Sequence, residues 1–286
     1  MLATKSKWAV ALSIAMAALV AGCGGDDDEP TTTPMSVKAA KGAVVGATCT
    51  VSDPVEETVF ETEPAVVITG ADGTANFDIL GDVPENSVIL VSCANGEYFN
   101  EASGEFEPVE APILSMLSST DVAAGTASVA VTPLTGFAAN LVLALIADGV
   151  TVDAHAADSA NEEVGALFGI ADITVPPTTI NDTTPTLGTG AADAYALALA
   201  SIAIAAASQG LDPFEFVTQI EEDVANGTVD TESLGTSLQV ATTAYVDDYV
   251  EEGATIPQEL EDEVLESQDP DNLDGDIDVE PVSGGG

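Results

Sequence analysis

Apolar and polar positions change rhythm several times along this chain, and the changes divide it. Trp8 to Ala21 is almost wholly apolar, broken only by Ser13. Gly24 to about Met35 shows no apolar period. Its Asp26-Asp27-Asp28-Glu29-Pro30 and Thr31-Thr32-Thr33-Pro34 predict an extended spacer, since charge repulsion and proline both stiffen a chain. Its dozen residues reach at most ~40 Å. From about Ser36 to Ser118 the rhythm is that of short strands bounded by turn signals. Ala43 to Val51 is β-rich, Ala65 to Thr69 is a short apolar run, and Ser87 to Cys93 is another. Ala71-Asp72-Gly73-Thr74 carries the Asp-Gly pair of a tight hairpin turn. Beyond it Ala75, Phe77 and Ile79 alternate onto one face, and Ala127 to Val131 reads as a final strand.

The period then becomes helical. Thr132 and Pro133 form a helix start, with a hydroxyl cap and a first-turn proline. Leu134, Phe137, Ala138, Leu141 and Leu145 follow at helical spacing, and Gly149 closes the helix. A second helix is expected from Ser159 to Phe168, with Ser159 and Glu162 as a capping box and Gly169 at its end. Ile173 to Gly190 reads as a long loop. Ala191 to Ser208 is apolar all round. It is short for a membrane span, weighted to alanine and without basic flanks, so a buried bundle helix is the expectation. Asp212-Pro213-Phe214-Glu215 opens another helix with cap, proline and box acid; Phe214, Val217, Ile220 and Val224 form its inner stripe. Helices over Thr231–Glu252 and Gln258–Glu266 follow, and the tail from Gln268 reads as disordered.

The predicted fold class is therefore α+β and multidomain: an N-terminal antiparallel β-sandwich followed by an all-α helical bundle domain. The expected divisions are residues 1–22, a signal; 23–35, an acidic tether; 36–130, the sandwich; 131–267, the helical domain; and 268–286, an acidic tail.

Charge changes this picture sharply. The chain has 49 acids, no arginine and four lysines: Lys5, Lys7, Lys38 and Lys41. Once residues 1–22 leave with two of the lysines, two cations face 49 carboxylates, a formal charge of −47. Nucleic-acid binding is excluded, because phosphate neutralisation needs Lys and Arg. Such charge repels itself in the compact state. In about 1 M salt the Debye length falls to ~3 Å and the repulsion is largely screened. Extreme acidity with almost no Lys or Arg resembles proteins of salt-adapted organisms; a surface that collects Ca²⁺ is the alternative.

The N-terminal run is too short to cross a bilayer, which needs about 20 apolar residues. Lys5 and Lys7 before it and small residues after it make a secretory signal. The run ends in Val20-Ala21-Gly22-Cys23. An apolar residue, two small residues and Cys resemble the lipobox of bacterial lipoproteins. That resemblance implies cleavage before Cys23, lipidation of its thiol and acylation (palmitate or a similar chain) of the new amino terminus. Gly24 in place of Asp implies the outer membrane. Two or more acyl chains hold stably where one does not. Cys49 and Cys93 then remain as one pair in an exported protein, the usual setting for a disulfide.

A further resemblance rests on three stretches. They are Gly42-Ala43-Val44-Val45-Gly46-Ala47-Thr48, Thr69 to Phe77, and the strand Val88-Ile89-Leu90-Val91. Together they look like the carboxypeptidase-regulatory, transthyretin-like β-sandwich. Asn95-Gly96-Glu97-Tyr98-Phe99-Asn100-Glu101-Ala102-Ser103-Gly104 is similar to a Gly-Gly-x-Tyr-x-Asp-Glu-Ala-Thr-Gly stretch in bacterial surface proteins, departing from it at Asn95, Asn100 and Ser103. The resemblance implies a non-catalytic accessory module that binds sugar or protein. Tyr98 and Glu101 are its candidate ligand-binding residues, or else they order a turn.

Catalytic chemistry finds little support. His155 is the one histidine, in a loop-like acidic stretch; no Gly-x-Ser-x-Gly elbow and no His-Glu-x-x-His occur. Among 49 acids, carboxylate pairs at any spacing arise by chance. The tail carboxylates Asp269, Asp271, Asp274, Asp276 and Asp278 are candidate Ca²⁺ ligands. Placing Gly275 at the EF-hand glycine puts Pro270 and Pro281 where the first and last ligands belong. The expectation is an outer-membrane lipoprotein, periplasmic or surface-exposed. It would have a non-catalytic binding or structural role, an envelope protein or polysaccharide as partner, and no cofactor unless Ca²⁺. The alternatives are a hydrolase of polysaccharide or ester substrates and a Ca²⁺-dependent adhesion or assembly subunit.

Overall fold

In the computed structural model, which describes residues 31–124 and 128–282, the first strand begins inside the segment expected as spacer. β1 (Thr32–Ala39) pairs along Thr32–Lys38 with a later strand, so the tether ends at the start of that strand and not at residue 35. Three β-branched threonines favour extended chain, and burial begins at Met35, continuing through Val37 and Ala39. The signal, Cys23 and the Asp26–Glu29 run lie outside the described residues.

The remaining strands are β2 (Val44–Val45), β3 (Thr48–Asp53), β4 (Thr58–Val59), β5 (Glu61–Glu63), β6 (Val67–Ile68), β7 (Thr74–Leu80), β8 (Val88–Ala94), β9 (Glu97–Asn100), β10 (Glu105–Pro108), β11 (Ile113–Ser118) and β12 (Ser128–Val131). They form three sheets, ordered β12-β1-β7-β5, β10-β9-β2 and β11-β8-β3-β4, with β6 also on β3. β1 and β12 run parallel, an exception to the antiparallel expectation. The inward residues of the first and third sheets, among them Val37, Phe77, Ile79, Val51, Ile89 and Val91, form one apolar cluster. Burying each such side chain contributes about 1.5–3 kcal/mol. The Asp72-Gly73 turn does form, with Gly73 at φ 77°, but β6 and β7 do not pair across it. They leave the turn for different sheets, so it is a corner and not a hairpin. Cys49 and Cys93 face each other on β3 and β8, and the disulfide joins them with Cα atoms 4.0 Å apart.

After α1 (Ser119–Ala123) and β12 the chain is helical: α2 (Pro133–Ala147), α3 (Ala154–Phe168), α4 (Ala191–Ser208), α5 (Pro213–Ala225), α6 (Thr231–Glu252) and α7 (Gln258–Ser267). Thr132 caps α2 in a reciprocal box with Thr135, and Asp212 caps α5 with Glu215. α3 starts five residues before its expected start. Asp153 accepts from the His155 N–H and caps it, so His155 lies in the first helical turn and Ser159 inside the helix. α4 is apolar and long enough to cross a membrane by length and composition alone. Here Tyr195, Leu197, Leu199 and Ile202 are buried against the other helices and the β region. Val88, Met116 and Ala130 of the strands share that core with α2 to α6.

The tail differs from its expected disorder. From Leu273 to Val279 it is an extended strap whose exposure alternates: Leu273 is buried, Ile277 and Val279 pack on the helical core, and Asp274, Asp276 and Asp278 face outward. Its backbone is held as well. The Glu280 N–H donates to Ser159 Oγ, and the Asp153 N–H donates to the Pro281 carbonyl. A period of two with apolar residues on one face is the pattern of a half-buried extended segment. The expectation of disorder gave weight to charge and overlooked it.

Candidate functional site

The Asn95–Gly104 stretch forms β9 and the turn into β10, and its side chains converge on a residue of β10, Glu107. Tyr98 and Glu107 are opposite each other in register. Glu107 accepts from Asn100 Nδ2 at 2.9 Å, Ser103 Oγ at 2.8 Å and the Tyr98 hydroxyl at 3.3 Å. Partial burial pushes this carboxyl up. The three donors and the charge of Lys41 outweigh it and hold Glu107 ionised, below the usual carboxylate range. Burial, together with Glu107 and Asp212, pushes the Tyr98 hydroxyl well above its ordinary value, so it remains a donor.

Glu101 takes a different place. It is 2% exposed and paired with Lys41, itself fully enclosed, at 2.5 Å. The turn between β1 and β2 puts Lys41 there. Ala40 and Ala43 bridge across it, and Gly42 (φ 73°) lies so close beneath β9 that a Cβ would fall 2.6 Å from the Phe99 carbonyl. Lys41 Nζ also lies 5.1 Å from the centre of the Tyr98 ring, and the Tyr249 hydroxyl of α6 donates to the Glu101 carbonyl at 2.6 Å. That last hydrogen bond ties the Glu101 segment to α6. Lys38 is half-buried, with Nζ donating to the Pro177 carbonyl. Burial lowers its pKa, against the opposing pull of Asp72.

The outer side of the hairpin opens on a groove of about 710 Å³. One wall is Tyr98, Glu107 and Pro108; the other is Leu211 and Phe214, at the head of α5. Phe214 meets Tyr98 edge-on, ring centres 5.5 Å apart. Glu110, Asp212, Glu215 and Glu222 surround it, and among the described residues no basic side chain lines it. Asp212 and Glu215 already satisfy the first-turn amides of α5 or its cap, which leaves that helix end no attraction for an anion. The arrangement offers acceptors and apolar surface.

Of the two candidate ligand-binding residues, then, Tyr98 lines the groove and Glu101 is sealed in an internal pair. Glu107, which the sequence reading did not single out, is the carboxylate at the groove. His155 is exposed, with Nε2 2.9 Å from Glu280 Oε2 of the strap. The tail carboxylates are strung along the strap. Asp269 and Asp274 accept from the backbone N–H groups of Asp271 and Asp276, two residues on. Among the described residues no group of three or more His, Cys, Asp or Glu side chains is arranged to hold a metal ion. Comparisons with protein-family models, with curated proteins and with solved structures return no match.

Proposed function

We propose that this chain is a cell-envelope lipoprotein of the outer membrane, anchored through acylated Cys23, with a non-catalytic binding role. Its binding site is the groove between the β9–β10 hairpin and α5. The carrying observation is Glu107, held ionised by three donors beside an aromatic and apolar wall. A fixed polar group in a mainly apolar concavity is the usual form of a binding site. The address rests on Val20-Ala21-Gly22-Cys23. We read the N-terminal β region as the carboxypeptidase-regulatory-like β-sandwich, a reading supported by its strand-rich sheets and by the helices that follow. Membrane fractionation of Cys23→Ser tests the address: the variant should be released as soluble protein with the Cys49–Cys93 bond intact. A variant that stays in the membrane would assign the anchor to another segment, α4 first. Turnover of an ester or polysaccharide that His155→Ala abolishes would overturn the non-catalytic role.

A further inference from the structure

We propose that the groove takes a basic, partly apolar peptide segment of a partner protein, with an Arg or Lys side chain set against Glu107. The proposal rests on the groove being the binding site and names its occupant. Three features choose that occupant. The walls are apolar (Leu211, Phe214, Pro108 and the Tyr98 ring), so the occupant must bring hydrocarbon. The charged side chains of the lining are all carboxylates, and Glu107 is held ionised, so it must bring positive charge. The groove is an open channel of about 710 Å³, which suits several residues of chain better than a single ion. Arg and Lys combine a hydrocarbon stem with a charged head. The stem lies along Phe214 while the head reaches Glu107, with Glu110 and Glu222 at the rim. The described residues cannot supply such a segment themselves. Lys41 is enclosed in its pair with Glu101, and Lys38 is half-buried on the Pro177 carbonyl.

The test must separate the groove from the general negative field. The full chain, in nonionic detergent at an ionic strength where it is folded, is titrated with a rhodamine-labelled peptide, Gly-Arg-Leu-Arg-Leu-Gly, and binding is read by anisotropy. Glu110→Gln/Glu222→Gln removes two exposed rim charges; Glu251→Gln/Glu263→Gln removes two exposed charges from α6 and α7. The expected result is about a three- to tenfold loss of affinity for the first pair and less than about twofold for the second. Equal losses would show attraction to the whole surface and overturn the proposal. Phe214→Trp gives the described residues one indole, placed in the groove, so occupancy is also read by its emission. Equal binding of Gly-Gln-Leu-Gln-Leu-Gly would overturn the basic occupant and leave the groove as a site. Indole emission that moves with neither peptide nor with spermidine would overturn the groove itself.

Discussion

Replacing Lys41 with Met isolates the energetics of the most enclosed charge in the molecule. Lys41 and Glu101 side chains are 0% and 1% exposed and meet at 2.5 Å. Methionine keeps the length and apolar stem and removes only the ammonium group. Glu101 is then a buried carboxylate with no cation, on the segment whose carbonyl receives the Tyr249 hydroxyl. Breaking a buried pair in this way costs about 3–5 kcal/mol. Domains of this kind are stable by about 5–15 kcal/mol, so the variant should lose a large part of its stability. Lys41→Met/Glu101→Leu removes both charges and should recover most of the loss, because an apolar pair of similar volume is often neutral or better. Urea unfolding followed by far-ultraviolet circular dichroism measures all three chains. A single variant that loses under about 1 kcal/mol, or a double variant whose loss is the sum of the two singles, would refute the view of an enclosed and mutually dependent pair.

Two further outcomes follow from the strap and the disulfide. Glu163 on α3 is pushed above the usual carboxylate range by burial and then by Asp274, Glu162, Asp278 and Asp276. A carboxyl raised on folding opposes the fold while ionised and stops opposing it as pH falls through its folded value. The hydrogen bond that His155 Nε2–H donates to the Glu280 carboxylate raises His155, whose contribution is present below its unfolded value and lost as pH rises through the folded one. Both act in one direction from neutral to mildly acid pH: the protection factor of the Glu280 amide, its exchange relative to the intrinsic rate at that pH, should rise by about two- to fivefold. Glu163→Gln should show the raised protection already at neutral pH, and a protection factor that ignores pH would sink the reasoning. Cys49→Ala/Cys93→Ala opens a loop spanning a sequence separation of 44. It should lower the unfolding free energy by about 2–4 kcal/mol; a loss under about 1 kcal/mol in the same urea assay would place the constraint elsewhere.

Local chemistry made most of the helical part legible. Asp212-Pro213-Phe214-Glu215 states cap, first-turn proline and box acid in four residues, and α5 begins there. Thr132-Pro133 does the same for α2. α6 keeps its expected bounds because Asp230 caps it and Gly253 (φ 109°) ends it. Much of what was missed depended on contacts distant in sequence. β1 is a strand from Thr32 because β7 lies beside it. α3 opens at Ala154 because Asp153 caps it, a signal that competes locally with Ser159 and Glu162. Asp72-Gly73 shows a tight turn but not which sheets its two arms will join.

The site was legible only in part, for a reason set by composition. With 49 acids in the chain, Glu107 has no distinguishing mark; its role appears when Tyr98, Asn100 and Ser103 fold against it. In such a chain the informative residue is the one the composition otherwise avoids. Lys41, followed by a glycine in a β-rich stretch, was that signal, and it identifies Glu101 as an internal partner. The consequence is electrostatic. The enclosed pair balances its own charge, while the described surface carries carboxylates with no free Lys or Arg to offset them. Attraction by charge at this surface therefore requires that the partner bring the cation. Specificity must come from where apolar surface and a fixed carboxylate coincide, as they do where Phe214 faces Tyr98 beside Glu107.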